Sequence, residues 1–226
     1  MCGRFTLTVD ANSIQTAFPW LGVPPQIQPR YNIAPSQPIA VVPNDGANKI
    51  DFFVWGLIPF WSKDPKIGSR MINARGETIG EKPSFKAAYK YRRCLILADG
   101  FYEWVKTAGQ KTKTPHYIQL ESQQPFALAG LWETWLAPDG SEVKTATIIT
   151  TEPNPLVAKL HNRMPLILPE DSYDLWLSTE PKMPKELDHL IAPFPAEEMM
   201  HFPVSTTVNS PANESPACIL PVQTLL

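Results

Sequence analysis

Residues 94–104 read CLILADGFYEW, and this stretch decides the fold because it joins two different patterns. Residues 94–98 form a continuous apolar run with the length of a buried strand. The dipeptide Asp99-Gly100 is a turn signal, and the chain then presents Glu103 between two aromatic side chains. A buried strand that runs into a turn predicts a sheet-based core with polar chemistry just beyond the strand.

Other segments share this enrichment in Ile, Val, Phe, Trp and Thr with partial alternation, which favours β-strands. The predicted strands span residues 38–42, 49–57, 93–98, 116–120, 125–135 and 143–151. The 25 prolines are spread along the chain, so they punctuate short elements and do not form one linker. We therefore expect one α+β domain over residues 1–226, built around a mixed or antiparallel sheet.

Helices are predicted to be few and short. The first begins after Asp10 and runs to Phe18, because Asp is a favoured N-cap residue. Further helices are predicted at residues 84–90, 169–177 and 184–191. The tail after Pro203 is expected to be irregular, with one candidate strand at 217–222.

The net charge of −2 conceals a strong asymmetry. Residues 1–120 carry 15 Lys and Arg against 8 Asp and Glu, whereas residues 121–226 carry 5 against 14. This imbalance indicates one basic and one acidic face, and a basic face is what phosphates require. A random imbalance without any ligand is the alternative at this point.

The cysteines and the N-terminus indicate a reduced, intracellular setting. The three cysteines are far apart in sequence and form no CxxC pair, so neither a zinc ribbon nor a redox dithiol is indicated. The histidines have no metal-ligand spacing either, and we expect no metal and no cofactor. Without a leader pattern or a membrane-length apolar run, we expect a soluble protein in the cytoplasm or nucleoid.

Cys2 carries a specific chemistry once Met1 is removed. Its α-amine, with a pKa of about 7.7–8.0, is partly unprotonated at neutral pH and can form a Schiff base with an aldehyde. The thiol can then close on the imine carbon to give a five-membered thiazolidine, and this closure is fast because it is intramolecular. Many chains begin Met-Cys by chance, so this interpretation of Cys2 requires partner residues elsewhere in the chain.

Candidate partners are polar residues set in apolar surroundings. Asn73 and Arg75 share one face of an extended segment, because they are two residues apart. Glu103 follows the buried strand, and His161 and Arg163 precede an apolar run. Each has a structural alternative, since His161 can cap or be solvated and Asn73 can terminate a strand.

The two charged candidates also have ion-pair alternatives. Glu103 can pair with Arg75 or Arg93, and Arg75 can form a buried pair with Glu77 or Glu103. The aromatic residues Phe53, Trp55, Trp132, Trp135 and Trp176 are assigned to the core or its rim. Cys94 is predicted to be an inert buried thiol.

Seven motifs in order resemble the SRAP family of abasic-site processing proteins. They are MCGRF (1–5), PRYNIAPSQ (29–37), VWGLIPFW (54–61), INARGET (72–78), ADGFYEW (98–104), HNRMPLIL (161–168) and PVSTTVNSP (203–211). The resemblance implies a single domain with a mixed or antiparallel, barrel-like β core and a few short peripheral helices. It also implies capture of abasic sites in single-stranded DNA as a covalent thiazolidine.

The resemblance implies a role for each matching residue. Cys2 would be the nucleophile, Asn73 would hold the cysteine and the sugar, Glu103 would relay protons and promote self-removal of Met1, and His161 would be the general acid that opens the sugar. The DNA-binding residues would be Arg4 and Arg75 on the phosphates beside the lesion, Pro35, Trp61 and Trp104 on the flanking bases, and also Arg163. Single-strand/double-strand junctions and replication-fork proteins are further partners to consider, and a monomer is expected.

Two other function classes remain open at the level of sequence. A cysteine peptidase acting on other proteins would use Cys2 and His161 as a dyad oriented by Glu103. A non-covalent binding module for single-stranded nucleic acid would use only the basic and aromatic residues. The basic N-terminal half disfavours the first class, and the combination of Cys2 with Asn73, Glu103 and His161 disfavours the second.

Overall fold

The computed structural model describes residues 2–106 and 112–222, and its core is built from thirteen strands within those ranges. The strands are β1 (Phe5–Leu7), β2 (Arg30–Ile33), β3 (Pro38–Pro43), β4 (Asp51–Trp55), β5 (Asn73–Arg75), β6 (Arg93–Ala98), β7 (Gly100–Val105), β8 (Thr114–Leu120), β9 (Phe126–Leu136), β10 (Glu142–Thr151), β11 (Met164–Pro165), β12 (Ile167–Leu168) and β13 (Met199–Pro203). All six strands predicted from residue patterns are present, with ends displaced by a few residues.

The larger sheet closes into a barrel. Its strands follow the order β11-β10-β4-β3-β6-β9-β12, and β10 also pairs with β9, which joins the two ends of the central run. Most pairings are antiparallel, whereas β10 runs parallel to both β4 and β5. The predicted α+β class with a mixed, barrel-like core is therefore confirmed.

The smaller sheet has the order β13-β8-β7-β1-β2 and is antiparallel throughout. Its strand β7 directly follows the barrel strand β6, and Asp99 forms the turn between them. The buried Thr6 hydroxyl donates to Asp99 and lies 2.9 Å from the Tyr117 hydroxyl, which ties β1, the turn and β8 together. Gly100 is required here, because a Cβ at this position would lie 2.2 Å from the Tyr117 ring.

The helices are short and lie outside the strands. They are α1 (Ala11–Ala17), α2 (Lys86–Tyr91), α3 (Tyr173–Trp176) and α4 (Pro184–Leu187), with several 3-10 turns between them. The predicted cap is confirmed, since Asp10 accepts a hydrogen bond from the Ser13 amide at 2.8 Å. None of the helices in the described ranges is long and apolar enough to cross a bilayer.

The predicted strand at 217–222 is wrong. Residues Pro216–Cys218 form a 3-10 turn, and Pro221 makes only an isolated bridge to Val204. Prolines at 216 and 221 lack the amide hydrogens that a ladder needs. Cys218 and Ile219 instead pack in a small second cluster beside Tyr102 and Tyr117, whereas Leu220 and Val222 are exposed.

Candidate functional site

Cys2 lies at the centre of the candidate site and is fully buried. Its carbonyl accepts a hydrogen bond from the Asn73 side-chain amide at 2.8 Å. Burial, followed by the nearby negative charge of Glu103, raises the pKa of the Cys2 thiol to about 12. The thiol is therefore held by the fold in its protonated form.

Strand β10 brings Asn73 to this position. Asn73 lies on β5, which pairs in parallel with β10 so that Asn73 is opposite Ile148 and Arg75 is opposite Thr150. Further along, Thr151 of β10 pairs with Met164, which follows the His161 segment. The Asn73 segment and the His161 segment, which are far apart in sequence, therefore both lie beside the barrel strand β10.

Glu103 approaches from the smaller sheet. It lies on β7 and is buried, and burial raises the pKa of its carboxyl group while the nearby His161 works against that rise. Glu103 also acts on Cys2 by its charge. These two electrostatic contacts and the Asn73 hydrogen bond connect the four predicted catalytic residues into one cluster.

Nδ1 of His161 lies against the backbone of Arg163. The Arg163 amide is 3.0 Å from Nδ1 and the Arg163 carbonyl is 3.3 Å from it. In the tautomer that accepts from the amide, which is the shorter contact, the neutral imidazole carries its proton on Nε2. That tautomer can donate a proton from Nε2.

The two arginines near His161 have different environments. The guanidinium of Arg163 donates to both carboxylate oxygens of Glu77, at 2.7 and 2.8 Å, and to the carbonyl of Thr150 at 2.7 Å. Arg75 is exposed, and none of the ion pairs in the described part of the chain involves it. The alternative of a buried pair between Arg75 and Glu77 is therefore wrong, and Arg75 presents its charge to solvent.

The alternative of an ion pair between Glu103 and Arg93 is also wrong. Arg93 is fully buried, and its guanidinium donates to five backbone carbonyls between residues 89 and 180. This arginine fastens α2 and the segment around α3 to the barrel. It has no part in the candidate site.

Arg4 and Trp104 lie on the other side of β7 from Glu103, because neighbouring residues in a strand point to opposite faces. The Arg4 guanidinium is 5.7 Å from the Trp104 ring centroid and donates to Asn32 at 2.6 Å. The Trp104 indole donates to Asn209 at 2.7 Å. Together with Lys113, these side chains line an open recess of about 480 Å³.

Trp61 lies in an exposed aromatic turn, of which the sequence pattern indicated only Trp61 as a DNA-binding residue. Trp61 is 51% exposed and its neighbour Phe60, which the sequence analysis missed, is 61% exposed. The Trp135 indole donates to the Ser62 carbonyl at 2.6 Å and holds this turn in place. The run of Pro, Phe and Trp at 59–61 beyond the end of a strand was the available signal.

Pro35 occupies a turn next to the same end of β4. Its neighbour Ser36 has a positive φ of 69° and donates its amide to the Trp55 carbonyl at 2.8 Å. Since β3 and β4 are paired neighbours, the Pro35 turn and the segment leading to Trp61 leave the barrel at the same edge. Trp55 itself is fully buried, as predicted.

Comparison with known proteins gives the chain a family. The family model described as SOS response associated peptidase (SRAP) matches residues 1–211. The chain belongs to the SRAP family. The order of motifs in the sequence and the β-barrel core agree with this membership.

Several curated proteins are similar to this chain in sequence. The "Abasic site processing protein YoqW" of Bacillus subtilis is 47% identical over 222 residues, which cover 97% of this chain and 99% of that protein. The "Abasic site processing protein HMCES" of Gallus gallus is 36% identical over 191 residues, covering 75% of this chain and 56% of that protein. Among solved structures, a protein from Bacteroides thetaiotaomicron superposes with a TM-score of 0.87 at 26% identity, covering 98% of this chain and 100% of that one.

The aromatic residues and the cysteine that the sequence assigned to the core lie in the core or at its rim. Phe53 and Trp176 are fully buried, and Trp132 lies at the rim of the core. Cys94 is fully buried in β6, and burial raises the pKa of its thiol well above the ordinary value. Within the described ranges, no group of three or more His, Cys, Asp or Glu is placed to hold a metal ion.

Proposed function

We propose that this SRAP protein captures abasic sites in single-stranded DNA through Cys2, after Met1 has been removed by the protein itself. One observation carries the proposal. The Asn73 side-chain amide donates to the Cys2 carbonyl at 2.8 Å, the charge of Glu103 acts on the Cys2 thiol, and His161 acts in turn on the Glu103 carboxyl group. An N-terminal aminothiol, an acid and a histidine are the groups that the chemistry requires.

Removal of Met1 comes first. A water molecule adds to the carbonyl of the Met1–Cys2 peptide bond, the C–N bond breaks, and the products are free methionine and the α-amine of Cys2. Glu103 is suited to carry the proton between water and the departing amine, because burial raises the pKa of its carboxyl group toward neutrality. Asn73 holds the Cys2 carbonyl while the peptide is cut.

The capture of the sugar then proceeds in balanced steps. His161 protonates the ring oxygen of the closed sugar from Nε2, the anomeric hydroxyl loses its proton, and the aldehyde is exposed. The α-amine of Cys2 adds to the aldehyde and one water leaves, which gives an imine. The thiol adds to the imine carbon and its hydrogen passes to nitrogen, so that the products are one thiazolidine and one water.

DNA is held by the basic and aromatic side chains around this centre. Arg75 is exposed and able to bind a phosphate directly, whereas Arg163 would have to release Glu77 first. Trp61 in its fixed turn offers a stacking surface for any base, which suits a protein that meets abasic sites in every sequence context. Pro35 at the same edge would wedge against a neighbouring base. Arg4 and Trp104 would bind DNA that passes around β7.

The test uses an oligonucleotide with one abasic site, followed by a denaturing gel. We expect a heat-stable shifted band with the wild-type protein and no band with Cys2→Ala. Extending the N-terminus by a tag that cannot be removed is expected to abolish the band although the sulfur is untouched. If the wild-type protein of confirmed mass, lacking Met1, forms no band, the proposal is refuted.

His161→Ala separates chemistry from binding. We expect slower capture with little change in the affinity for DNA that carries a tetrahydrofuran analogue of the abasic site. Loss of that affinity would instead make His161 a phosphate ligand.

The family description as a peptidase supports a second candidate function, the cleavage of other proteins. The exposed Arg75 and Trp61 disfavour it, because a peptide substrate needs neither a phosphate-binding guanidinium nor a stacking surface for bases. Cleavage of a peptide library by the wild type and not by Cys2→Ala would favour it. Self-removal of Met1 is the limited form of peptidase chemistry that the arrangement supports.

A further inference from the structure

An open groove of about 640 Å³ lies between the end of α1, the start of β9, the strand β12 and the segment 189–195. Its floor is apolar and includes the buried rings of Phe18, Phe126 and Tyr173. Cavities of about 300–1,000 Å³ with an apolar lining are typical of sites that bind organic ligands. The groove shares no residue with the candidate functional site, so it requires an occupant of its own.

An exposed tryptophan continues the floor to the surface. Trp20 is 36% exposed, and its ring centroid is 6.4 Å from that of Phe18 and 6.2 Å from that of Tyr173. An exposed tryptophan beside an apolar cavity is typical of an interface, because burial of its large ring stabilises a complex strongly. The groove therefore offers a bulky apolar side chain both a cavity and an aromatic edge.

The wall formed by residues 193–195 offers no sheet edge to a partner. Pro193 and Pro195 have no amide hydrogen, and the carbonyl of Phe194 between them accepts from the Asn154 side chain at 2.7 Å. An occupant is therefore recognised through its side chains and not by strand addition. The Asn154 hydrogen bond also fixes this wall before an occupant arrives, which lowers the entropic cost of binding.

The rim of the groove is acidic. Glu170 and Glu198 line the groove and are exposed, and neither forms an ion pair within the described ranges. Their sequence neighbours Asp171 and Glu197 are also exposed. The exposed His189 is the one basic side chain among the described residues that line the groove. Carboxylates beside an apolar cavity attract a cation and repel phosphates, so charge complementarity favours an occupant that is basic and apolar.

We propose that this groove binds a linear segment of a partner protein, which places a bulky apolar side chain on the floor and a lysine or arginine against Glu170 and Glu198. A long basic side chain reaches carboxylates at the rim while its neighbour fills the cavity. The binding site gives a role to the acidic second half of the chain, which supplies most of the groove. The inference goes beyond the proposed capture of abasic sites and does not depend on it.

The experiment selects peptides without assuming their sequence. A phage-displayed library of random dodecapeptides is selected against the full-length wild-type protein, and the enriched peptides are synthesised with a fluorophore. Fluorescence anisotropy then gives their dissociation constants for the wild type and for variants, at low and at high salt. We expect the enriched sequences to carry a lysine or arginine close to an aromatic or aliphatic residue.

A filling variant tests the cavity. Ala192 is exposed and lines the groove, so Ala192→Trp adds a large ring to the groove without changing a buried residue. We expect the selected peptides to bind this variant at least about tenfold more weakly than the wild type, because their apolar side chain loses the cavity. Ala47→Trp, at an exposed alanine outside the groove, should bind them like the wild type.

A charge variant tests the rim. The double variant Glu170→Lys/Glu198→Lys should weaken binding about tenfold at low salt and less at high salt, because the interactions of exposed charges are screened. Glu81→Lys/Glu142→Lys makes the same change in net charge at exposed positions outside the groove and should have little effect.

The outcomes that overturn the proposal are distinct from those that concern capture. A selection that yields no peptide, or only acidic or uncharged peptides, overturns it. Equal affinity of the selected peptides for the wild type and for both groove variants, with circular dichroism showing that the variants are folded, also overturns it. If the wild type binds the selected peptides through the groove but never crosslinks to an abasic oligonucleotide, the capture function fails and the groove proposal stands.

Discussion

Asn154 holds the turn that carries His161, and its replacement by Ala is expected to affect both stability and chemistry. Asn154 is buried; its side-chain oxygen accepts from the Val157 amide at 2.8 Å, and its amide donates to the Phe194 carbonyl at 2.7 Å. The Val157 carbonyl in turn accepts from the His161 amide at 2.8 Å. One side chain therefore links the loop at Phe194 to the backbone of His161.

The expected magnitude follows from the two groups that lose their partner. Asn154→Ala leaves the Val157 amide and the Phe194 carbonyl unpaired, and each unpaired buried group costs about 1–3 kcal/mol. A loss of about 3 kcal/mol lowers the melting temperature of a protein of this size by roughly 6–12 °C. Because the His161 turn loosens, we also expect slower capture with unchanged affinity for the tetrahydrofuran oligonucleotide.

Thermal unfolding monitored by circular dichroism measures the loss of stability. Denaturing gels of samples quenched at successive times measure the rate of capture. Asn12→Ala is the matched control, because Asn12 is exposed on α1. A melting temperature within about 2 °C of that control, well below the shift expected for two unpaired groups, would refute the reasoning.

Three further outcomes are expected. Gly100→Ala places a Cβ 2.2 Å from the Tyr117 ring, so it should lower the melting temperature by several degrees; an unchanged melting temperature would contradict the close packing. Arg75→Ala should weaken DNA binding and flatten its salt dependence, and an equal salt slope would count against a phosphate contact. Partial burial raises the pKa of Glu77, but the ion pair with its arginine lowers it more, to a net value below the ordinary one. The pair therefore stabilises the fold above the ordinary glutamate pKa and loses that effect as the pH falls through the lowered pKa. Glu77→Gln should destabilise in urea at neutral pH and not in acid.

The sequence predicted six strands of five or more residues from their residue pattern, but it missed β7 and β13, which are also that long. Three-residue and two-residue strands such as β5 and β11 show no such pattern, and they exist because β10 offers them an edge. The strand expected at 217–222 is absent although the segment is apolar, since Pro216 and Pro221 cannot donate to a ladder and Cys218 and Ile219 pack without one. Local pattern therefore predicted the five strands of the closed run, β3, β4, β6, β9 and β10, whereas the barrel itself was an expectation from the family resemblance.

The sequence named candidate site residues but not the faces on which they lie. Glu103 was expected to relay protons and Trp104 to contact bases, and these sequence neighbours project from opposite faces of β7. The partner of Glu77 was equally open, because Arg75 and Arg163 both reach the same region and only the tertiary fold decides which one pairs. The tertiary fold decides which partner a long side chain contacts, and a sequence motif does not contain that information.

The burial of Cys2 accounts for how a reactive group can be both durable and selective. In the chain that carries Met1, burial and then the charge of Glu103 raise the pKa of the Cys2 thiol to about 12, and a protonated thiol reacts poorly with general electrophiles. In the proposed chemistry this is no obstacle, because the amine attacks first and the sulfur attacks last, at an imine that is already attached. The addition needs a hydrogen on nitrogen as well as sulfur on carbon, and a protonated thiol supplies both. We therefore expect iodoacetamide to leave Cys2 largely unmodified at neutral pH under conditions in which an abasic oligonucleotide is captured; rapid alkylation of the folded protein would show that the thiol is not protected by burial.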